Sequence, residues 1–94
     1  MNKQEEALTI LQEECAEVIV EVSKIKRFGI DSLSWKTNML HKEMLELEIG
    51  DVLAMVEILV EQGVIDFNNV HTGITNKKEK LKKFSNLFSD NADE

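Results

Sequence analysis

From about residue 37 to residue 62 the apolar residues recur at the three-and-four spacing of an α-helix, yet two carboxylates interrupt the stripe. Leu40, Met44, Leu45, Ile49, Val52, Met55, Val56 and Leu59 build a wide apolar sector, and Glu43, Glu46, Glu57 and Glu61 gather on the opposite face. Glu48 and Asp51 fall inside the apolar sector. An ionised carboxylate taken out of water without a partner costs several kcal/mol, which is comparable with the whole stability of a small domain. Any fold built from this sequence must therefore compensate both groups.

The first third of the chain repeats the arrangement. Ala7, Leu8, Leu11, Cys15, Val18, Ile19, Val22 and Ile25 fall on one side of a predicted helix, and Glu6, Glu13, Glu14, Glu17 and Glu21 line its flank. Between Glu6 and Lys24 that helix carries no lysine or arginine. Residues three apart share a helical face, so Glu14 with Glu17, and Glu48 with Asp51, each present paired carboxylates. For Glu5, Glu6, Glu43, Glu46, Glu57 and Glu61 a solvated face is the ordinary reading. Glu48 and Asp51 point the wrong way for that. An internal ion pair with Lys24, Arg27 or a C-terminal lysine would neutralise them. Matched acidic pairs on two helices favour a metal site instead, because bundle cores commonly hold carboxylate-bound metals. Ligation by oxygen alone suits a hard cation, magnesium first and manganese as a substitute.

The pattern predicts an all-α fold, a bundle of three main helices in one domain over residues 1–88, followed by a disordered acidic tail at 89–94. The first helix spans Lys3 to Phe28 with Gly29 as its C-cap, and a short loop covers Ile30 to Lys36. The second starts from Thr37 or Asn38 as N-cap and runs to about Gln62, where Gly63 stops it. The third is capped by Asp66 or Asn68 and carries Phe67, Val70, Ile74, Leu81, Phe84, Leu87 and Phe88. Its 94 residues bury only part of their apolar surface as one domain, so oligomerisation should complete the core, with Met44, Leu47 and Ile58 near a second subunit. Cys15 reads as a small core residue, since one cysteine excludes an internal disulfide. Gly50 within a helix suggests close approach of another backbone or a tolerated surface position. With no signal peptide and no apolar run of membrane length, a cytoplasmic location and no membrane partner are expected.

Charge is unevenly distributed. The net value is −7, yet Lys77, Lys78, Lys80, Lys82 and Lys83 crowd the third helix. A net acidic surface argues against general nucleic-acid binding, whose affinity comes largely from phosphate contacts. A basic amphipathic helix is usually a solvated face, but beside a magnesium site a polyphosphate is the natural ligand, with Lys77 and Lys80 as candidate contacts.

Glu13-Glu14-Cys15-Ala16-Glu17, continuing to Lys24-Ile25-Lys26-Arg27-Phe28-Gly29 and followed by Glu48-Ile49-Gly50-Asp51-Val52-Leu53, resembles the EExxE…ExxD pattern of the MazG-like nucleotide pyrophosphohydrolases of the all-α NTP pyrophosphatase superfamily. The likeness reaches Lys77 to Phe84, which resembles the lysine-rich last helix of small MazG-like proteins. It implies magnesium-dependent cleavage of a nucleoside triphosphate between the α and β phosphorus atoms, giving a monophosphate and pyrophosphate, in a homodimer or a dimer of dimers. The family pattern puts metal ligation on Glu14, Glu17, Glu48 and Asp51. Glu13 belongs to the motif but points toward the edge of the stripe, a supporting group placed to orient a water, and Glu13 and Glu14 are the catalytic candidates; the pattern matches Lys24 and Arg27 to phosphate contacts. The connection between the first two helices is shorter than in larger relatives, which have more chain to shape a base pocket.

Trp35 lies in that connection and can stack on a base or cover a subunit contact. His41 and His71 have no partner at ligand spacing and read as surface or capping residues. Two rival functions remain from other classes: a non-catalytic helical interaction module, and a nucleotide-binding regulator without catalysis.

Overall fold

A computed structural model describes residues 1–89. Among the described residues it contains three α-helices and no strand: α1 (Lys3–Phe28), α2 (His41–Glu61) and α3 (Phe67–Phe84). The described residues fall into two compact units, residues 1–64 and a second that begins at Ile65. No helix among them is long and apolar enough to cross a membrane.

The ends of α1 follow from its terminal residues. The Asn2 side chain accepts from the Glu5 N–H at 2.8 Å, satisfying one of the first orphan donors. Glu5 and Glu6 in the first turn and Lys26 and Arg27 in the last complement the helix dipole. Gly29, at φ 100°, turns the chain out of the helix while its N–H still reaches the Ile25 carbonyl at 2.8 Å.

The second helix starts at His41 with Leu40 as N-cap, later than the expected cap at Thr37 or Asn38. Asn38 stands at φ 60°, a left-handed conformation that cannot enter a helix. The connecting loop supplies the missing cap from its own backbone. The His41 N–H donates to the Ser32 carbonyl at 2.9 Å and the Lys42 N–H to Ile30 at 3.1 Å, while the Leu40 N–H donates to Glu43 Oε1 at 2.9 Å. Ser34 N–H to Met39 O and Asn38 N–H to Ser34 O close the turn between them. The loop is thereby fastened to the start of α2, with a Leu33–Leu40 bridge across it.

α1 and α2 form a helical hairpin with its N-terminal end of α1 beside the C-terminal end of α2: Lys3, Ala7 and Ile10 adjoin Met55, Ile58 and Gln62, and Phe28 stacks on His41 at 5.6 Å. Ala7, Met55 and Leu59 are the buried apolar side chains of this unit. Much of the predicted apolar face is open: Ile19 is 69% exposed, Leu47 61% and Leu53 57%. Cys15 is exposed as well, not a core residue as its neighbours suggested. It lines a shallow apolar groove with Val18, Ile19, Ile49, Val52 and Leu53, on a side of the hairpin that no residue of the hairpin covers. A Cβ on Gly50 would meet nothing within 4 Å, so no other backbone approaches it within the described residues.

In the second unit the Asp66 side chain caps α3 by accepting from the Asn68 N–H at 2.8 Å. Val70 and Leu81 are partly buried, and Lys82 pairs with Glu79 at 3.0 Å. The helix ends at Phe84, where the Ser85 hydroxyl binds the Leu81 carbonyl at 2.7 Å, so Leu87 and Phe88 lie beyond it. Of the expected tail, Ser89 donates its N–H to the Asn86 carbonyl at 3.1 Å, and residues 90–94 lie outside the described residues.

Candidate metal centre

Halfway along the hairpin the two acidic motifs meet. One carboxylate oxygen from each of Glu14, Glu48 and Asp51 lies within 4.8 Å of the others. The helices dictate this. Glu14 sits two turns beyond Ala7 on the face of α1 that meets α2, and Glu48 sits two turns before Met55 on the face of α2 that meets α1. Asp51, one turn on from Glu48, reaches the same point.

The cluster is electrostatically uncompensated. Glu48 Oε2 is buried and has no hydrogen-bond partner. Loss of water raises the Glu48 pKa above its ordinary value, and the charges of Asp51, Glu14 and Glu17 push it further in the same direction. The ion-pair alternative finds no support, since no ion pair among the described residues reaches Glu14, Glu48 or Asp51. Lys24 bonds instead to Glu21 Oε1 at 3.4 Å, and Arg27 lies over the Phe28 ring at 5.0 Å. Three carboxylates from two helices, one with an unused buried oxygen, match the all-oxygen donor set of a hard divalent cation.

The remaining candidates sort by position. Glu17 is exposed and stands outside the three-residue group, yet close enough for its charge to act on Glu48. Glu13 is exposed beside Glu14. Lys77 and Lys80 are exposed on α3, in the second unit. Trp35, 89% exposed, borders a recess of about 410 Å³ that Lys24, Phe28, Leu33, Ser34 and His41 also line.

Two buried polar residues escaped sequence reasoning. Glu21 is only 4% exposed, with Oε2 unpartnered, and His41 is 5% exposed with Nδ1 unpartnered, so His41 is neither a surface nor a capping residue. The loop carbonyls fix His41 at the first turn of α2, and Phe28 covers its ring. A signal did exist. Glu14, Glu21 and Phe28 recur every seven residues on α1, as do His41, Glu48 and Met55 on α2, which places all six on the facing stripes of a two-helix hairpin.

Because the folded state raises the Glu48 pKa, it gains stability from a protonated Glu48 at low pH and loses that gain as pH rises through the raised value. At neutral pH without metal, Glu48→Gln should therefore stabilise the protein. A shift on the order of 1 kcal/mol would raise the melting temperature by about 4 °C or more. A lower melting temperature than wild type in metal-free buffer would contradict the electrostatic account of the cluster.

Comparison with known proteins fits this geometry. A family model described as the MazG nucleotide pyrophosphohydrolase domain matches residues 2–84, which run through both acidic motifs and α3. No curated protein matches the chain, and no solved structure does. With the match covering nearly all of the sequence and both motifs, the chain belongs to the MazG nucleotide pyrophosphohydrolase family.

Proposed function

We propose that the protein is a magnesium-dependent nucleoside triphosphate pyrophosphohydrolase, releasing a nucleoside monophosphate and pyrophosphate. The observation that carries this reading is the meeting of Glu14, Glu48 and Asp51 around the unpartnered Glu48 oxygen, in a chain of this family. An acidic cluster alone would repel a triphosphate. Magnesium, or manganese in its place, would supply the charge reversal and Lewis acidity that let the two approach.

Glu14, Glu48 and Asp51 would hold the cation, with Glu17 as a further candidate ligand, and Glu13 beside Glu14 would orient the attacking water. A carboxylate near the cluster takes its proton. Lys24, two turns from Glu17 on α1, and Arg27 contact phosphate oxygens and stabilise charge on the departing pyrophosphate. Lys24 is partly neutralised by Glu21 at 3.4 Å, which holds its ammonium on the hairpin side of the helix. Asp51→Asn should lower pyrophosphate release by at least about a hundredfold while the helical circular dichroism is retained. Wild-type turnover in that variant would remove Asp51 from the site.

We also propose that the working form is a homodimer or a dimer of dimers. With Ala7, Met55 and Leu59 as the buried apolar side chains of the hairpin, the core is too small to stand alone. The groove of Cys15, Val18, Ile19, Ile49, Val52 and Leu53, with Leu47 and Ile58 exposed on α2, offers a second copy an apolar face. Light scattering at micromolar concentration should give at least twice the chain mass, and Leu53→Glu should lower it. A monomeric wild type would refute this assembly.

A further inference from the structure

We propose that Glu21 is a positioning residue for the phosphates of the substrate: it draws the Lys24 ammonium toward the carboxylate cluster and orders it before a polyphosphate arrives. The inference rests on the phosphate contact given to Lys24 above and adds the residue that prepares it.

Glu21 occupies a place where a charge is costly. It stands on the contact stripe of α1, seven residues from Glu14 and seven from Phe28, and is 4% exposed. Across the hairpin Ala7 adjoins Met55 and Glu14 groups with Glu48, so seven residues further along each helix Glu21 comes to the level of His41. No hydrogen bond joins those two. Glu21 Oε2 and His41 Nδ1 are both buried without a partner, and the one bond of the Glu21 carboxylate is accepted from the Lys24 ammonium by Oε1, at 3.4 Å. An apolar residue on this stripe would avoid the desolvation, and a buried carboxylate satisfied through a single oxygen stabilises little. Packing alone does not call for this charge.

Its partner gives it a use. The Lys24 side chain is 36% exposed against 5% for Glu21, so the anchor is held in the interface while the cation stays open to a ligand. Pairing with the residue three before it turns the ammonium toward the N-terminus of α1, the direction in which helical side chains already tilt. Lys24 lies ten residues from Glu14 and Glu21 lies seven, roughly 15 Å and 10 Å along the axis at 1.5 Å per residue. The pair thus brings the cation nearly a turn closer to the carboxylates, a gap that a triphosphate held on a metal there can close. Lys24 pairs with Glu21 and not with Glu14, Glu48 or Asp51, whose oxygens stay open to a cation. An unpaired lysine would have to give up its rotamer freedom on binding, and Glu21 removes that cost beforehand. The carboxylate also repels phosphate, so the sign of its effect separates an anchor from a competitor.

The test uses the full chain with magnesium and inorganic tripolyphosphate, read by calorimetry without turnover, in wild type, Glu21→Leu, Lys24→Ala and the double variant. Glu21→Leu should weaken tripolyphosphate binding about fivefold, the loss expected when one long side chain must be ordered on binding. It should raise KM for a nucleoside triphosphate by a similar factor with kcat within about twofold. In the Lys24→Ala background the same substitution should change neither quantity, because Glu21 acts through Lys24. Glu21→Gln, which keeps the shape, should show the same pattern with a smaller loss, and magnesium binding without polyphosphate should be equal in all variants. Tighter tripolyphosphate binding on loss of Glu21 would make it a competitor for Lys24, an equal loss in both backgrounds would make it a structural residue, and unchanged binding would remove it from the site; each overturns the proposal. The expected pattern in a protein that releases no pyrophosphate would sustain Glu21 and sink the hydrolase reading. Turnover indifferent to Glu21→Leu would do the reverse, and a wild type that binds no tripolyphosphate with magnesium would sink both.

Discussion

The mutual repulsion of Glu14, Glu48 and Asp51 is the term around which the helical hairpin is arranged. Helix packing brings these groups together because α1 and α2 meet along stripes that also carry Ala7, Met55 and Leu59. Folding thus strips water from Glu48 and adds three neighbouring negative charges to it. The apolar burial that opposes this cost is small, with exposed Ile19, Leu47 and Leu53 on the same pair of helices. The proposed cation and the proposed association would both act on this imbalance, the cation by offsetting the repulsion and a second copy by covering the open apolar face.

Along the hairpin the polar groups are graded. Near the open ends Ala7 adjoins Met55, and both are buried, as is Leu59. The carboxylates occupy the middle. Beyond them comes Glu21 with Lys24, then the aromatic turn of Phe28, His41 and Trp35. Each step is one or two helical turns, so the spacing of the two motifs in the sequence sets the spacing of the site. The loop contributes through its backbone. By capping α2 with the Ser32 and Ile30 carbonyls it fixes where α2 begins, and hence the register of Glu48 against Glu14.

The sequence was readable wherever local chemistry decides. The ends of α1, the Asp66 cap of α3, the all-α class and the pairing of the acidic motifs follow from caps, glycines and periodicity. The start of α2 was not readable from side chains, because its cap comes from loop carbonyls and from Asn38 in a left-handed conformation. Periodicity assigns a residue to a face of its own helix without saying what covers that face. For that reason Cys15 and His41 exchanged places: the cysteine on the apolar side is open, and the histidine at the helix start is buried under Phe28. Glu21 reads from the sequence only as one of the acids on the flank of α1, although its seven-residue spacing from Glu14 puts it on the contact stripe.

The central claim is that three carboxylates from two helices form a cation site, and thermal melting against magnesium concentration tests it most directly. The melting temperature of wild type should climb with the logarithm of magnesium once binding saturates, as mass action requires of a ligand that binds only the folded state. Glu14→Gln, which keeps the side-chain shape and removes one charged ligand, should shift that climb to higher magnesium or abolish it. A wild-type melting temperature indifferent to magnesium and manganese, or a variant that responds as wild type does, would contradict the account.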